Sequence, residues 1–187
     1  MSKRDDILAS ALRIVTAEGI RSLTMAKIQE KAHVGSGTMY NYFGGKEKLL
    51  HELYERAMSR MNELIMGGYT ATGNVRVDFD ELMMCFLQYG VSCFDELNFT
   101  DQYSFFIRDE FQKEHMKKPN RVFQASESIL QSGQNQRIIK SIDITVLQRI
   151  VSGIIIAVAQ SVYLHDLVLN DELTRDIITA CWDAVKA

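Results

Sequence analysis

Apolar residues recur along this chain at three- and four-residue spacing almost from its start. From Asp5 onward, Ile7, Leu8, Ala11, Leu12 and Val15 fall on one side of a helix, an amphipathic stripe that faces a core. Gly19 followed by Ile20 predicts a Schellman ending, with Gly19 at positive φ and Ile20 folded back on the last turn. A short second helix opens at Leu23 and Thr24, where the Thr24 hydroxyl can cap the first turn and Met25, Ile28 and Ala32 supply the inner face. It ends in the turn HVGSG. In the GTMYNYF that follows, Met39 and Phe43 stand four apart and point to one side, leaving Thr38, Asn41 and Tyr42 on other faces. Beyond Gly44 and Gly45, Lys46 begins a long helical pattern running through Leu53, Ala57 and Met61 to Gly67 and Gly68.

A helix, a tight turn and a short exposed helix make the helix-turn-helix arrangement, which places its second helix in a DNA major groove. The stretch GSGTMYNYF at 35–43 supports this, because burying two phenols in so short a segment demands hydrogen-bond partners it cannot supply. Its tyrosines face something wet and polar. After the glycine-rich GGYTATGN turn, helices are predicted at about 77–95, 101–116, 120–133, 143–165 and 171–186.

Composition agrees with an all-α protein: 47% of the 187 residues are apolar and Pro119 is the single proline, so long helices are little interrupted. Cys85, Cys93 and Cys181 are odd in number and lack metal-ligand spacing, which suits reduced thiols in a cytosol. The N-terminal MSKRDDILAS has no apolar signal core. The most apolar run, IVSGIIIAVA from Ile150 to Ala159, is too short to span a bilayer, so a cytoplasmic protein with no membrane partner is expected. Charge is uneven under the overall −3: through Arg60 there are ten Lys/Arg against seven Asp/Glu, and eleven against seventeen thereafter. The basic part is N-terminal, and a surplus of three fits either an ordinary solvated face or a polyanion partner.

From Arg4 to Arg60 the chain resembles the DNA-binding domain of TetR-family transcriptional regulators. The resemblance rests on a first helix ending in AEGIRSLTM, the turn and helix ending in GTMYNYF, and the GKEKLL that opens the fourth helix. It implies an all-α protein with an N-terminal helix-turn-helix DNA-binding domain at 1–46 and an effector-binding and dimerisation domain at 47–187. Double-stranded operator DNA is the implied partner. By position, Thr24, Tyr40, Tyr42 and Lys46 would hold phosphates, through hydroxyls, helix N-termini and an ammonium group. Ser36, Gly37 and Thr38 would read base edges, with Tyr42 sharing; Gly37 lets the backbone come close and the Thr38 methyl can touch a thymine methyl. The chain departs from the family pattern where His33 replaces a common Gly, Gln29 a small residue, Gly35 a Ser or Thr cap, and Ser36 an often basic residue. Histidine is among the non-glycine residues enriched at positive φ. Loss of a basic residue at Ser36 shifts readout toward methyl contacts and DNA shape.

Aromatic and methionine stripes at helical spacing in the later helices read by themselves as plain core; the resemblance implies instead a small effector held there, in an adaptable cavity with Phe86, Tyr89, Phe106 and Phe123 as the expected lining. Gly153, Ala157 and Ser161, four apart, form a row of small residues that lets another helix approach. Packing within the chain is one reading of it, and a homodimer face made by the last two helices, as in TetR-like proteins, is the one expected here. Trp182 fits either a buried anchor there or a lid on the core. The function expected is a sequence-specific repressor released from its operator by a small, largely apolar effector. The alternative is an enzyme or ligand carrier on a helical bundle with a vestigial DNA-binding domain. Catalytic motifs do not favour it: His51, His115 and His165 lack metalloprotease spacing, Ser152 lacks a nucleophile elbow, and no Walker loop occurs. No catalytic residue, metal or cofactor is expected.

Overall fold

The structure, a computed structural model, describes residues 2–106 and 120–187, without the side chains of Phe105 and Phe106. Among the described residues there are nine α-helices, one 3-10 turn and no strand, which bears out the all-α reading. The helices are α1 (Lys3–Glu18), α2 (Met25–Ala32), α3 (Ser36–Phe43), α4 (Lys46–Gly68), α5 (Val75–Ser92), α6 (Phe94–Phe106), α7 (Arg121–Asn135), α8 (Ile144–Tyr163) and α9 (Asp171–Val185). Packing groups them into two compact units. One takes α1 to α4 through Ser59 together with α6 from Asp95; the other takes α4 from Arg60, then α5, α7, α8 and α9. The sequence boundary at 46/47 marks the end of the recognition helix and its turn, whereas these packing units are not contiguous in sequence.

The first unit is built around the α1 stripe. Ile7, Leu8, Ala11 and Val15 are buried as its spacing requires, and Ile14 joins them. They meet Leu23, Ile28, Met39 and Phe43 from the next three elements, Leu49 and Leu53 from α4, and Phe99 and Tyr103 from α6. Each such aliphatic or aromatic side chain contributes roughly 1.5–3 kcal/mol on burial. Ser2 caps α1 by accepting from the Asp5 N–H, and the Asp5 carboxylate returns the bond to the Ser2 N–H.

The Schellman ending predicted at Gly19 does not form. Gly19 has φ 81° and ψ 157°, a region essentially reserved for glycine, and its N–H still reaches Val15. Ile20 turns its N–H away from α1 to the Gln102 side-chain oxygen at 3.0 Å, then enters a 3-10 turn. Positive φ was legible in the sequence; the partner 82 residues away was not.

In the second unit α5 packs against α7, α8 and α9. The stripe Leu147, Val151, Ile155 and Ala159 of α8 is buried, and α9 buries Ile177, Ile178, Cys181 and Val185. Trp182 is half-buried on this unit's own core: Arg76 lies 4.7 Å over its ring and Phe79 meets it edge-on at 5.3 Å. The turn after α7 is clamped to the end of α9, with Lys140 N–H donating to Val185 and Ala187 N–H to Ile138. Asp78 holds the loop before α5, accepting from the Thr72 N–H and hydroxyl and from the Gly73 N–H.

Two predicted boundaries shift. The helix expected over 77–95 is interrupted at Cys93 (φ −130°, ψ 42°), and α6 begins at Phe94, seven residues earlier than expected. No Gly or Pro stands at the break, so local signals carry on through it. The later part of the 101–116 helix, with Ile107 and Phe111, lies outside the described residues. The apolar run Ile150–Ala159 sits within α8, the one helix among the described residues long and apolar enough to cross a membrane by length and composition. The run itself spans ten residues, and the helix passes that test because the turns flanking the run are apolar as well. Only 22% of its most apolar stretch is buried, so α8 has a core face and a bare apolar face.

Candidate nucleic-acid interface and effector cavity

The α3 helix is held by two side chains and presents the rest. Met39 is fully buried and Phe43 nearly so, whereas Tyr40 is 55% and Tyr42 42% exposed. Ser36, Gly37 and Asn41 are exposed beside them and Thr38 is half-buried. This is the division that the four-residue spacing of Met39 and Phe43 predicts. The turn before α3 is made by His33 at φ 52°, ψ 45°, and its N–H and that of Val34 return to the last carbonyls of α2. Histidine therefore occupies a left-handed position where glycine would be less strained. Gly35 is the N-cap of α3 and supplies no side-chain cap, so the first N–H groups of α3 remain open to an acceptor from outside. Gly44 closes the other end at φ 67°, donating to the Tyr40 carbonyl at 2.9 Å.

Neither Gly35 nor Gly37 has any atom within 4 Å of the place a Cβ would take. The chain's own packing thus gives no reason for a missing side chain at 37. Thr24 is the exposed N-cap of α2; its Oγ1 accepts from the Lys27 N–H at 3.2 Å, which leaves the hydroxyl hydrogen to donate outward. Lys46 is half-buried at the start of α4, and the side chain of Lys48 lies over Gly44.

An ion-pair network that periodicity does not reveal ties α1 to α4. Arg4 pairs with Glu52, and Arg56 bridges Asp5 at 2.7 Å and Glu52 at 3.0 Å. The hydrogen bond from Arg56, with those from Ser2, holds the Asp5 carboxyl down at about 2. Only the Glu52–Arg56 pair, four apart on one helix, had a sequence signal.

The expected effector residues come together in part. Phe86 and Phe123 line one cavity in the second unit with Met61, Met83, Val122 and Gln148, and no charged side chain is among its lining. Its volume is about 30 Å³, room for roughly one water. Tyr89 is buried and is not among the lining residues, and the side chain of Phe106 lies outside those described. On α8, Gly153 and Ala157 are exposed and Ser161 is half-buried, with nothing within 4 Å of a Cβ at Gly153. The row faces away from this chain's own core. Val146, Ile150 and Tyr163 are exposed on the same helix.

Residues 7–53 match a family model described as bacterial regulatory proteins, tetR family, and residues 54–187 match one described as tetracyclin repressor-like, C-terminal domain. An uncharacterised helix-turn-helix-type transcriptional regulator of Haemophilus influenzae is 33% identical over 85 residues. That match takes in 46% of this chain and 40% of the relative, less than half of either. A TetR family transcription regulator from Marinobacter aquaeolei VT8 has a TM-score of 0.77 at 17% identity, covering 98% of this chain and 95% of that one. A TetR-family transcriptional regulator from Haemophilus influenzae Rd gives 0.72 at 18%, covering 99% and 97%. At such identities the solved structures speak for the fold alone. The two family models, meeting between residues 53 and 54 on a helix-turn-helix followed by a helical bundle, settle the matter: the chain belongs to the TetR family of bacterial regulatory proteins, DNA-binding regulators of transcription.

Proposed function

We propose that this protein is a cytoplasmic homodimeric repressor that reads operator DNA with two copies of α3 and is released by a small, uncharged, largely apolar effector. The observation that carries the DNA reading is the outer face of α3: it presents two half-exposed phenols together with an exposed Ser36 and a Gly37 for which the chain's own packing has no use. Tyr40, Tyr42, Thr24 and Lys46 grip phosphates on either side of the groove, and Ser36, Gly37 and Thr38 meet base edges. The bare face of α8, with its row Gly153, Ala157 and Ser161, supports pairing with a second copy, which doubles a short DNA-reading module. Phe86 and Phe123 in an uncharged cavity support an apolar effector. At about 30 Å³ the cavity must open to admit one, and the two methionines in its lining can repack. Because α4 runs unbroken from Lys46 past Met61, a change at the cavity end can shift the phosphate-holding end.

Selecting duplexes from a random library with the purified protein tests this. Enrichment of a near-palindrome whose half-sites are about one helical turn apart, or a multiple of it, is expected. Enrichment of no sequence, or of one isolated half-site, overturns it.

A further inference from the structure

Val122 and Phe123 line the cavity from the first turn of α7, and side chains of two other helices hold that turn in place. Asn62, next to Met61 on α4, accepts from the Val122 N–H at 3.2 Å. Gln148, on α8, donates its Nε2 to the Phe123 carbonyl at 3.1 Å. Neither bond is needed to build α7. The Val122 N–H already reaches the N-cap oxygen of Asn120 at 3.0 Å, and the Phe123 carbonyl lies inside the helix, where the N–H four residues on satisfies it. They are tethers, one to α4 and one to α8.

We infer that Asn62 is the hydrogen-bonded link through which movement of the first turn of α7 reaches α4, beside the cavity-lining Met61, and that Gln148 is a tether without that connection. This rests on the reading of the cavity as the effector site. Beyond what repacking of the methionines provides, a ligand larger than one water lifts the first turn of α7, where Phe123 is half exposed, since the opposite wall is the packed core of α5 and α8: Leu82 is fully buried and Val151 nearly so. Lifting the turn lengthens the Asn62 bond and pulls at α4 beside Met61, while lengthening the Gln148 bond pulls only at α8. A ligand shifts an equilibrium only by its differential affinity for the two arrangements, so the tether on α4 is the one that couples it to DNA.

The test uses the full chain, its selected operator, and N-phenyl-1-naphthylamine, a neutral apolar fluorophore, as probe. Probe affinity is measured with and without saturating operator in the wild type, Asn62→Ala, Asn62→Asp and Gln148→Ala. In the wild type, operator is expected to weaken the probe by about 5- to 150-fold. Both alanine variants should bind probe about 2- to 10-fold more tightly without DNA, since one tether fewer opposes opening. Asn62→Ala should bring the operator effect close to unity at unchanged operator affinity, Gln148→Ala should keep it, and Asn62→Asp, which retains the acceptor, should restore it. If Asn62→Ala keeps the wild-type ratio, or both alanine variants lose it alike, the tether is wrong while the effector reading stands. A wild type that does not bind the probe, or whose probe affinity ignores operator, overturns the effector reading and the tether with it.

Discussion

Gly37 separates what the fold requires from what DNA requires. A Cβ there meets nothing within the chain, and the position is helical, so alanine should stabilise α3 by about 0.5–1 kcal/mol. The same methyl should obstruct the groove. Gly37→Ala is therefore expected to raise the melting temperature while weakening operator binding; unchanged affinity would remove Gly37 from the interface. Lys46→Ala should weaken binding to all sequences and reduce the salt slope by about one unit, because one phosphate contact is lost, whereas Thr38→Ala should change which base is preferred. An unaltered slope with the fold intact would count against Lys46. At this scale much was legible: the burial of Met39 and Phe43 follows from their spacing, and positive φ at His33 from the glycine that the family resemblance puts there. The bond from Ile20 to Gln102 was not, since it joins residues with no local relation.

Two glycines show how differently one residue serves two elements. At Gly133 a Cβ would collide with the Ile139 side chain, so a tight approach within this chain is there, where the turn after α7 folds back. Gly153 is open, although its row of small residues was the visible signal. If the proposed dimer forms on this face, arginine at Gly153 or Ala157 would place a long charged side chain in the contact between copies, and its desolvation should split them. Sedimentation checks this: either variant still running as a dimer would move the interface off this face of α8. The interruption at Cys93 escaped the sequence for a physical reason. Helical spacing continues on both sides, and Phe94 and Phe99 are nevertheless buried on separate cores, which needs a turn of the chain that neither residue type announces.

Two carboxylates, Asp5 in one packing unit and Asp78 in the other, make the molecule sensitive to acid. Acid should loosen it at identifiable points. Arg56 and Ser2 hold Asp5 at about 2, below the unfolded value near ~3.9, so the stability this gives is complete above that value and is lost as pH falls through about 2. Asp78 behaves alike: burial alone would raise its pKa, but hydrogen bonds from the Thr72 hydroxyl and the Thr72 and Gly73 N–H groups outweigh it and hold the carboxyl below its ordinary range. Arg56→Ala should move the Asp5 titration up toward ordinary aspartate values by NMR and leave that of Asp78 where it was. If Asp5 titrated unchanged in the variant, the ion pair would not be what depresses it.

The sequence by itself determined the helices, the division of α3 into a buried pair and an exposed face, and membership of a DNA-binding family, because amphipathic spacing and turn chemistry are local and the helix-turn-helix is nearly all local structure. Only the tertiary structure decided that Phe86 and Phe123 share a cavity which Tyr89 does not line, that Trp182 caps its own unit's core, and that the small-residue row of α8 faces outward. It alone brought Asn62 to the first turn of α7 and Arg56 to Asp5. These depend on which of several apolar faces meet, and a side chain's own periodicity records that it is buried without recording against what.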